Sequence, residues 1–230
     1  MRAVFIEVKA KVKEQDFLLP KKELDKLPKS VCFATTVQFK AGIGAVKKQL
    51  EDSGRACVLF EGRHTKHPGQ MLGCDVDKDT EIPAECFLYM GDGMFHPNAL
   101  LFNTTKDVFL YNPVTKDFKK ADRSLLQRVI NRRKAAYKKY LAADNIGIMV
   151  TVKPGQQHLK KAMMMKERLS EKGKNVYVFV CDNVDFNELE NFPFVEVWIN
   201  TACPRIAYED YLKFAKPVLN MEDIFDDMKF

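Results

Sequence analysis

Cys74 and Cys203 are the residues on which the chemistry of this chain turns. Cys203 stands in the run Val197-Trp198-Ile199-Asn200-Thr201-Ala202-Cys203-Pro204-Arg205, directly after an apolar stretch that reads as a buried strand. Cys74 closes Met71-Leu72-Gly73-Cys74, at what reads as the matching place in an earlier βα unit. Thiolates suit iron–sulfur clusters and zinc. Two of them complete neither kind of site, because a cuboidal cluster normally needs three or four protein ligands. No C-x-x-C pair supplies the others locally, so the fold has to bring ligands together. Cys32, Cys57, Cys86 and Cys181 fall within or at the end of predicted strands, where a thiol behaves as a small apolar side chain. His64 and His67 form an H-x-x-H in a polar loop shortly before Cys74, which alone is a weak zinc signature.

Two glycine-bearing stretches are the other places where chemistry could sit. Gly91-Asp92-Gly93-Met94-Phe95-His96 follows a predicted strand, and Lys153-Pro154-Gly155-Gln156-Gln157 follows another. Glycine there lets backbone amides approach a nucleotide-like ligand. Taken singly, a Gly-x-Gly turn is more often just a turn. The chain holds no P-loop, no G-x-S-x-G elbow and no kinase signature.

Residues of this kind need a scaffold, and the composition supplies one. With 46% hydrophobic residues, the 230-residue chain can bury one large or two small cores, and 30% charged residues fit a soluble protein. No apolar run approaches the ~18 residues of a membrane span. The first residues alternate like a strand and end in charge, unlike a signal peptide. A cytoplasmic, reducing setting is expected, in which six cysteines serve as thiols or metal ligands rather than disulfides. The net charge of +6 is local, because residues 121–143 carry Arg123, Arg128, Arg132, Arg133, Lys134, Lys138 and Lys139 against Asp122 alone. That helix reads either as a solvated face or as a docking surface for an acidic or nucleic-acid-bearing partner. No aromatic interleaving or nucleic-acid motif supports direct RNA binding.

Strand and helix patterns alternate along the chain. Residues 31–39 read as a mostly buried strand, followed by a helix from about Gly44 that stops at Gly54. Further strands are expected at 56–60, 85–90 and 107–111, with a polar loop over 61–70. The second half repeats the order. A basic helix capped by Asp122 leads to a strand at 146–152. A helix turning Ala162, Met165 and Leu169 inward stops at Gly173, and strands follow at 175–180 and 194–199. Thr36-Val37-Gln38 and Thr151-Val152-Lys153 end corresponding strands, and both following helices carry a Lys-Lys pair, Lys47-Lys48 and Lys160-Lys161. The expected fold is α/β, with two homologous small domains, each a mainly parallel sheet flanked by helices and meeting near residue 120. Ligands of such folds gather at the carboxyl ends of the parallel strands.

Read together, the short stretches are far more specific than any one alone. Thr36-Val37-Gln38-Phe39, Leu72-Gly73-Cys74, Tyr89-Met90-Gly91-Asp92-Gly93-Met94-Phe95-His96, Leu110-Tyr111-Asn112-Pro113, Ala202-Cys203-Pro204-Arg205 and Lys216-Pro217-Val218-Leu219 come in one order. In that order the chain resembles the diphthamide synthase radical-enzyme family of archaea and eukaryotes. The resemblance covers the second and third of that family's three homologous domains, 1–120 carrying Cys74 and 121–230 carrying Cys203. It implies a radical S-adenosylmethionine enzyme whose 4Fe–4S cluster takes one cysteine from each domain. Such an enzyme moves a 3-amino-3-carboxypropyl group onto a histidine of the translocation elongation factor, the first step of diphthamide synthesis.

By that resemblance Cys74 and Cys203 are metal ligands. The third thiolate is then expected from another chain, either a homologous synthase subunit or a separately encoded N-terminal domain. Gly91, Asp92, Gly93, Phe95 and His96 would line the S-adenosylmethionine pocket, with Gln38, Gly155, Gln156 and Arg205 nearby. Arg205 would either pair with the methionine carboxylate or position the Cys203 loop. The third-domain loop departs from the family's Gly-Arg-Gln-Gly-like pattern, reading Lys153-Pro154-Gly155-Gln156-Gln157. The alternative is a noncatalytic scaffold that supports the cluster of a complete catalytic homologue. Met221, Ile224, Phe225 and Met228 recur at helical spacing in the tail, as a capping helix or an association surface.

Overall fold

The computed structural model describes residues 6–62, 64–73, 76 and 82–225, and for Leu125 and Phe225 the backbone alone. Cys74 lies outside the described residues, as does Met228 of the tail. The chain divides into two compact units, Met1–Arg123 and Ser124–Phe230. The first contains α1 (Lys21–Leu24), β1 (Ser30–Thr35), α2 (Ile43–Asp52), β2 (Ala56–Leu59), β3 (Cys86–Met90), α3 (Phe95–Asn103), β4 (Asp107–Tyr111) and β5 (Phe118–Lys120). The second contains α4 (Ser124–Ala142), β6 (Asn145–Thr151), α5 (Leu159–Glu171), β7 (Asn175–Cys181), β8 (Val197–Asn200), α6 (Arg205–Glu209), β9 (Val218–Asn220) and α7 (Glu222–Phe225).

The sheets run β2-β1-β3-β4-β5 and β7-β6-β8-β9. All neighbours are parallel except β4 and β5. Both units therefore place their first strand between the second and third, with the fourth beyond, and the first unit adds an antiparallel edge. Side chains alternate across each sheet, so each has two apolar faces. In the first unit Val31, Phe33, Leu88 and Met90 pack with Val46 and Leu50 of α2, while Cys32, Ala34, Phe87 and Tyr89 pack with Leu100 and Leu101 of α3. In the second, Ile146, Ile148, Val150 and Ile199 pack with Ala162, Met165 and Leu169 of α5, while Met149 and Trp198 face Val195 and Ala207.

The two helix stops are built alike. Gly54 and Gly173 have φ of 78° and 82°, a region that costs most side chains steric strain. Each lets the next residue fold back, with Arg55 N–H donating to Leu50 O at 3.0 Å and Lys174 N–H to Leu169 O at 3.1 Å. Gly147 has a different reason, close packing. A Cβ there would stand 2.4 Å from Trp198 Cζ3, on the strand directly alongside.

Several elements differ from the sequence reading. The strand predicted over 31–39 ends at Thr35, and residues 37–42 form a 3-10 turn in which Phe39 N–H donates to Thr36 O at 3.0 Å. Phe39 still reaches the core, but from the turn. The strand predicted over 194–199 begins only at Val197, because Val195 N–H closes a turn onto Phe192 O at 3.1 Å. The basic helix starts at Ser124, two residues past Asp122. Residues 95–103, given no helix from sequence, form α3. Exposed apolar side chains of the first unit, Ile6, Val8, Leu18, Phe95 and Val114, are dispersed along the chain. Among the described residues no helix is long and apolar enough to cross a membrane.

Candidate functional site

The loop bearing Cys203 follows β8 and is built from buried polar side chains. Asn200 ends the strand, and its Nδ2 donates to Cys203 O at 2.9 Å and to Asn220 Oδ1 at 2.8 Å. Asn200 Oδ1 accepts from Ala202 N–H at 3.1 Å. Asn220, at the end of the neighbouring β9, donates from Nδ2 to Pro204 O at 3.0 Å. Thr201 Oγ1 donates to Met149 O on β6 at 2.8 Å. Asn220 N–H in turn donates to Asp223 Oδ2 at 3.0 Å, and the other oxygen of that buried carboxylate is ion-paired with Arg133 of α4. The loop backbone is thus held on both sides of Cys203, and Ile206 N–H of α6 also donates to Cys203 O at 3.0 Å.

Cys203 is half-buried on this loop, as are Cys57 and Cys181 in edge strands, whereas Cys32 and Cys86 are buried inside the first sheet. Burial pushes the thiols of Cys32 and Cys86 up to about 12 and that of Cys57 to about 11, and raises Cys181 as well. Burial thus disfavours the thiolate form of those four. A half-buried cysteine on a braced loop at the carboxyl end of a parallel strand fits a cluster ligand. Among the described residues no group of three His, Cys, Asp or Glu side chains is placed to hold a metal ion. His67 does not turn to a metal set with His64; its Nε2 lies 2.8 Å from Glu7 Oε1 and 3.0 Å from Lys40 Nζ.

Arg205 heads α6 and is buried. Its guanidinium is ion-paired with Glu209 one turn on. Burial lowers its pKa, with Glu209 opposing the shift. The side chain is thus already engaged by a carboxylate of its own helix. Gly155 and Gln156 lie in a turn beyond β6, where Gly155 has φ of 80° and Gln156 N–H donates to Lys153 O at 3.0 Å.

In the first unit the corresponding strand ends are joined mainly through the backbone. Residue 70 forms a parallel bridge with Thr35, Met71 N–H donates to Thr35 O at 2.8 Å, and Thr35 Oγ1 donates to Met90 O at 2.6 Å. The segment leading to Cys74 is thereby fixed beside β1 as far as Met71. Gly73 lies against Phe95, since a Cβ there would meet the Phe95 ring at 2.9 Å. Gly91, Asp92 and Gly93 leave β3 in a turn. Asp92 Oδ1 accepts from Gly93 N–H at 2.8 Å and from Asn112 Nδ2 at 3.0 Å. Gly93 takes φ of 69° and opens the way to the amino end of α3, whose first residues are Phe95 and His96.

Beneath this turn, the Tyr89 hydroxyl would touch a Cβ at Gly91 at 2.5 Å. It is buried without a hydrogen-bond partner among the described residues, and burial raises its pKa. Its ring stacks with His96 at 6.0 Å, and Phe95 meets His96 edge-on at 5.2 Å. The structure brings Gly91, Gly93, Phe95 and His96 together with Gly73. Gln38 is exposed on the 3-10 turn after β1, 3.5 Å from Thr36 Oγ1, and its carbonyl accepts from Ala10 N–H at 2.9 Å.

Asn200, Asn220 and Tyr89 were missed from sequence. A signal for the first two exists: Val-Trp-Ile-Asn and Val-Leu-Asn both end an apolar strand in asparagine, where a buried amide must find partners.

Fold and site define a duplicated α/β protein with its loops of chemical interest at the carboxyl ends of parallel strands. Residues 1–225 match the model of the diphthamide synthesis protein family, and the chain belongs to that family. A 2-(3-amino-3-carboxypropyl)histidine synthase of Pyrococcus horikoshii is 32% identical over 203 residues, 88% of this chain and 58% of the relative. Subunit 1 of the enzyme of that name from Yarrowia lipolytica is 26% identical, over 80% of this chain and 42% of its own length. Among solved structures, Dph2 from Pyrococcus horikoshii with a 4Fe-4S cluster superposes with a TM-score of 0.80 at 30% identity. The match covers 96% of this chain and 64% of that one. The chain spans about half the length of the curated relatives it matches, from 42% to 58% in these two cases.

Proposed function

We propose that this chain is a working part of the enzyme for the first step of diphthamide biosynthesis. The reaction transfers a 3-amino-3-carboxypropyl group from S-adenosylmethionine to a histidine of the translocation elongation factor. The observation that carries the reading is Cys203, a half-buried thiol on a loop whose backbone is fixed by Asn200 and Asn220. With Cys74 it supplies two thiolates to a 4Fe–4S cluster, whose third thiolate comes from outside residues 1–230. Residues 1–120 and 121–230 act as the family's second and third domains. The complex assembles in the cytoplasm from this chain and a homologous subunit, or a separately encoded first domain.

When bound, the cluster supplies the electron that cleaves S-adenosylmethionine, and the protein's task is to hold both. Gly93 faces open space where a side chain would stand, so that the cofactor can approach the backbone there, while Gly91 makes room for the Tyr89 hydroxyl beneath the turn. The amino end of α3 favours the cofactor's carboxylate, since helix amides there carry partial positive charge. Phe95 and His96 offer ring faces to the adenine or the sulfonium. Gln38, exposed on the turn after β1, supplies a polar edge. Arg205, engaged by Glu209, is a positioning residue that fixes α6 and hence the Cys203 loop.

The test mixes the purified chain with a homologous subunit, elongation factor, dithionite and S-adenosylmethionine, and follows the mass of the target histidine peptide. The pair is expected to modify the histidine faster than the partner alone, and Cys203→Ala is expected to abolish the gain. A partner that works equally fast without this chain would overturn the reading and leave a scaffold.

A further inference from the structure

The second unit segregates its charge across its sheet. Residues 124–174 carry thirteen Lys and Arg against three Asp and Glu, a net +10, while residues 175–225 carry three against nine, a net −6. The first stretch contains α4 and α5, which pack on one sheet face with Ile146, Ile148 and Val150. The second supplies Val184, Leu189, Phe192 and Tyr211 to the other face, around Met149 and Trp198. One side of the sheet is therefore basic and the other acidic. The brace of the Cys203 loop uses only Arg133 from the basic side.

The two basic helices lie side by side, α4 over β8 and β9 and α5 over β6 and β7. Lys174 Nζ, just beyond α5, donates to Ala143 O, just beyond α4, at 2.6 Å. α5 links β6 to the parallel β7, and α4 leads straight into β6, so both helices run against the strands and parallel to each other. Their inward residues are Val129, Ala136 and Tyr140 on α4, and Ala162, Met165 and Leu169 on α5. On the outer side, Lys134, Lys138 and Leu141 recur at i, i+4 and i+7 of α4, and Lys161, Met164 and Arg168 at i, i+3 and i+7 of α5, all exposed. With right-handed helices and a right-handed crossover from β6 to β7, these two stripes adjoin across the groove between the helices. Each stripe is about 10 Å long, roughly two helical turns. Leu141 is 59% exposed and Met164 52% exposed within it.

Charge alone would suit any polyanion, and the apolar side chains decide among them. A nucleic-acid backbone gains nothing from Leu141 and Met164, and no aromatic ring belongs to either stripe for a base to stack on. Exposed methionine and leucine between rows of cations fit a helix with carboxylates on its flanks and an apolar seam. We propose that the groove between α4 and α5 docks an acidic amphipathic helix of a partner protein. Apolar residues of that helix lie over Leu141 and Met164. Its Asp and Glu side chains meet Lys134 and Lys138 on one rim and Lys161 and Arg168 on the other, and the net charge of this side steers the encounter. Docking of this kind needs neither the cluster nor S-adenosylmethionine, so it stands or falls separately from the proposed function.

Fluorescence anisotropy of the full chain with a labelled synthetic peptide, leucine along one helical face and glutamate on both flanks, tests this at about 0.15 M salt. A scrambled peptide of the same composition and a mixed-sequence RNA duplex are the comparisons. The amphipathic peptide is expected to bind about tenfold tighter than the scrambled one. Lys138→Glu combined with Arg168→Glu is expected to weaken it by about tenfold or more, while Lys22→Glu in the first unit leaves it unchanged. Met164→Gln is expected to narrow the gap between the two peptides. A peptide with lysine in place of glutamate is expected to bind the doubly reversed variant and not the parent, which also shows that the variant folds. No binding of the amphipathic peptide, equal binding of its scrambled form, indifference to the double reversal, or an RNA duplex bound more tightly through the same residues would overturn the proposal.

Discussion

The two units share a strand order yet hold their strand ends differently. In the second, side chains do the holding. Asn200, Asn220, Asp223 and Arg133 form one chain of hydrogen bonds and an ion pair around the Cys203 loop. In the first, backbone and absent side chains do it: a bridge from Thr35 to residue 70, the Asp92 turn, and glycines at 73, 91 and 93 pressed against or opening beside aromatic rings. A loop that presents one fixed atom, the Cys203 sulfur, is best served by a rigid polar brace. A surface that admits a cofactor against its backbone is best served by glycine. On the proposed function, the same topology serves two complementary tasks.

The largest expected effect comes from breaking the side-chain brace. Asp223→Ala strands the part-buried Arg133 and removes the acceptor of Asn220 N–H, and is expected to cost about 3 kcal/mol. Trp198 is the chain's single tryptophan and is buried in the second unit, so its fluorescence reports this unit selectively during urea unfolding. A loss below ~0.5 kcal/mol would mean that the network is ornamental and the contrast between the units false.

Gly91→Ala probes the other unit. The new methyl group meets the Tyr89 hydroxyl, and the crowding is expected to cost about 1–2 kcal/mol. Its sharper readout is binding of S-adenosylmethionine by the assembled enzyme, which should weaken while Cys203-dependent iron content stays. Equal binding by Gly91→Ala would take the cofactor away from this turn.

Thiol labelling sharpens the comparison further. Iodoacetamide at pH 8 should modify Cys203 well before Cys32 and Cys86, whose burial pushes them to about 12. Peptide masses at successive times give the order, and Cys32 reacting first would contradict it.

The smallest effect concerns Glu7. Lys40 and His67 hold its carboxyl down from 4.5 to about 2. A depressed carboxylate stabilises the fold above its unfolded pKa, and the contribution disappears as pH falls through the folded value. The N-terminal segment should therefore stay attached at pH 4 and release near pH 2. Hydrogen exchange at the Ala10 amide, bonded to Gln38 O, follows it, and loss of protection already at pH 4 would contradict the contact.

Much of this architecture could be read from the residues. Alternating apolar runs gave both parallel sheets, and Gly54 and Gly173 marked real helix ends. The helix α3 was not readable, because Pro97, Ala99, Leu100 and Leu101 are all buried and leave no clean amphipathic stripe. The 3-10 turn after Thr35 was hidden because Val37 and Phe39 continue the apolar run of β1. Strands β5 and β9 have three residues each, too short for a period. Cys203 stood out by its place after a buried strand. Its brace did not, since Asn200 and Asn220 meet only once β8 and β9 are paired side by side.

On the proposed function, Cys203 and Cys74 hold one cluster together with a third thiolate from outside residues 1–230. Anaerobic iron and sulfide reconstitution, with iron counted per complex, tests it most directly when the chain is paired with a homologous subunit made cluster-free by loss of its own ligand cysteines in the two matching domains. About four irons per complex are expected, lost in both Cys203→Ala and Cys74→Ala. Iron content unchanged by either substitution would contradict it.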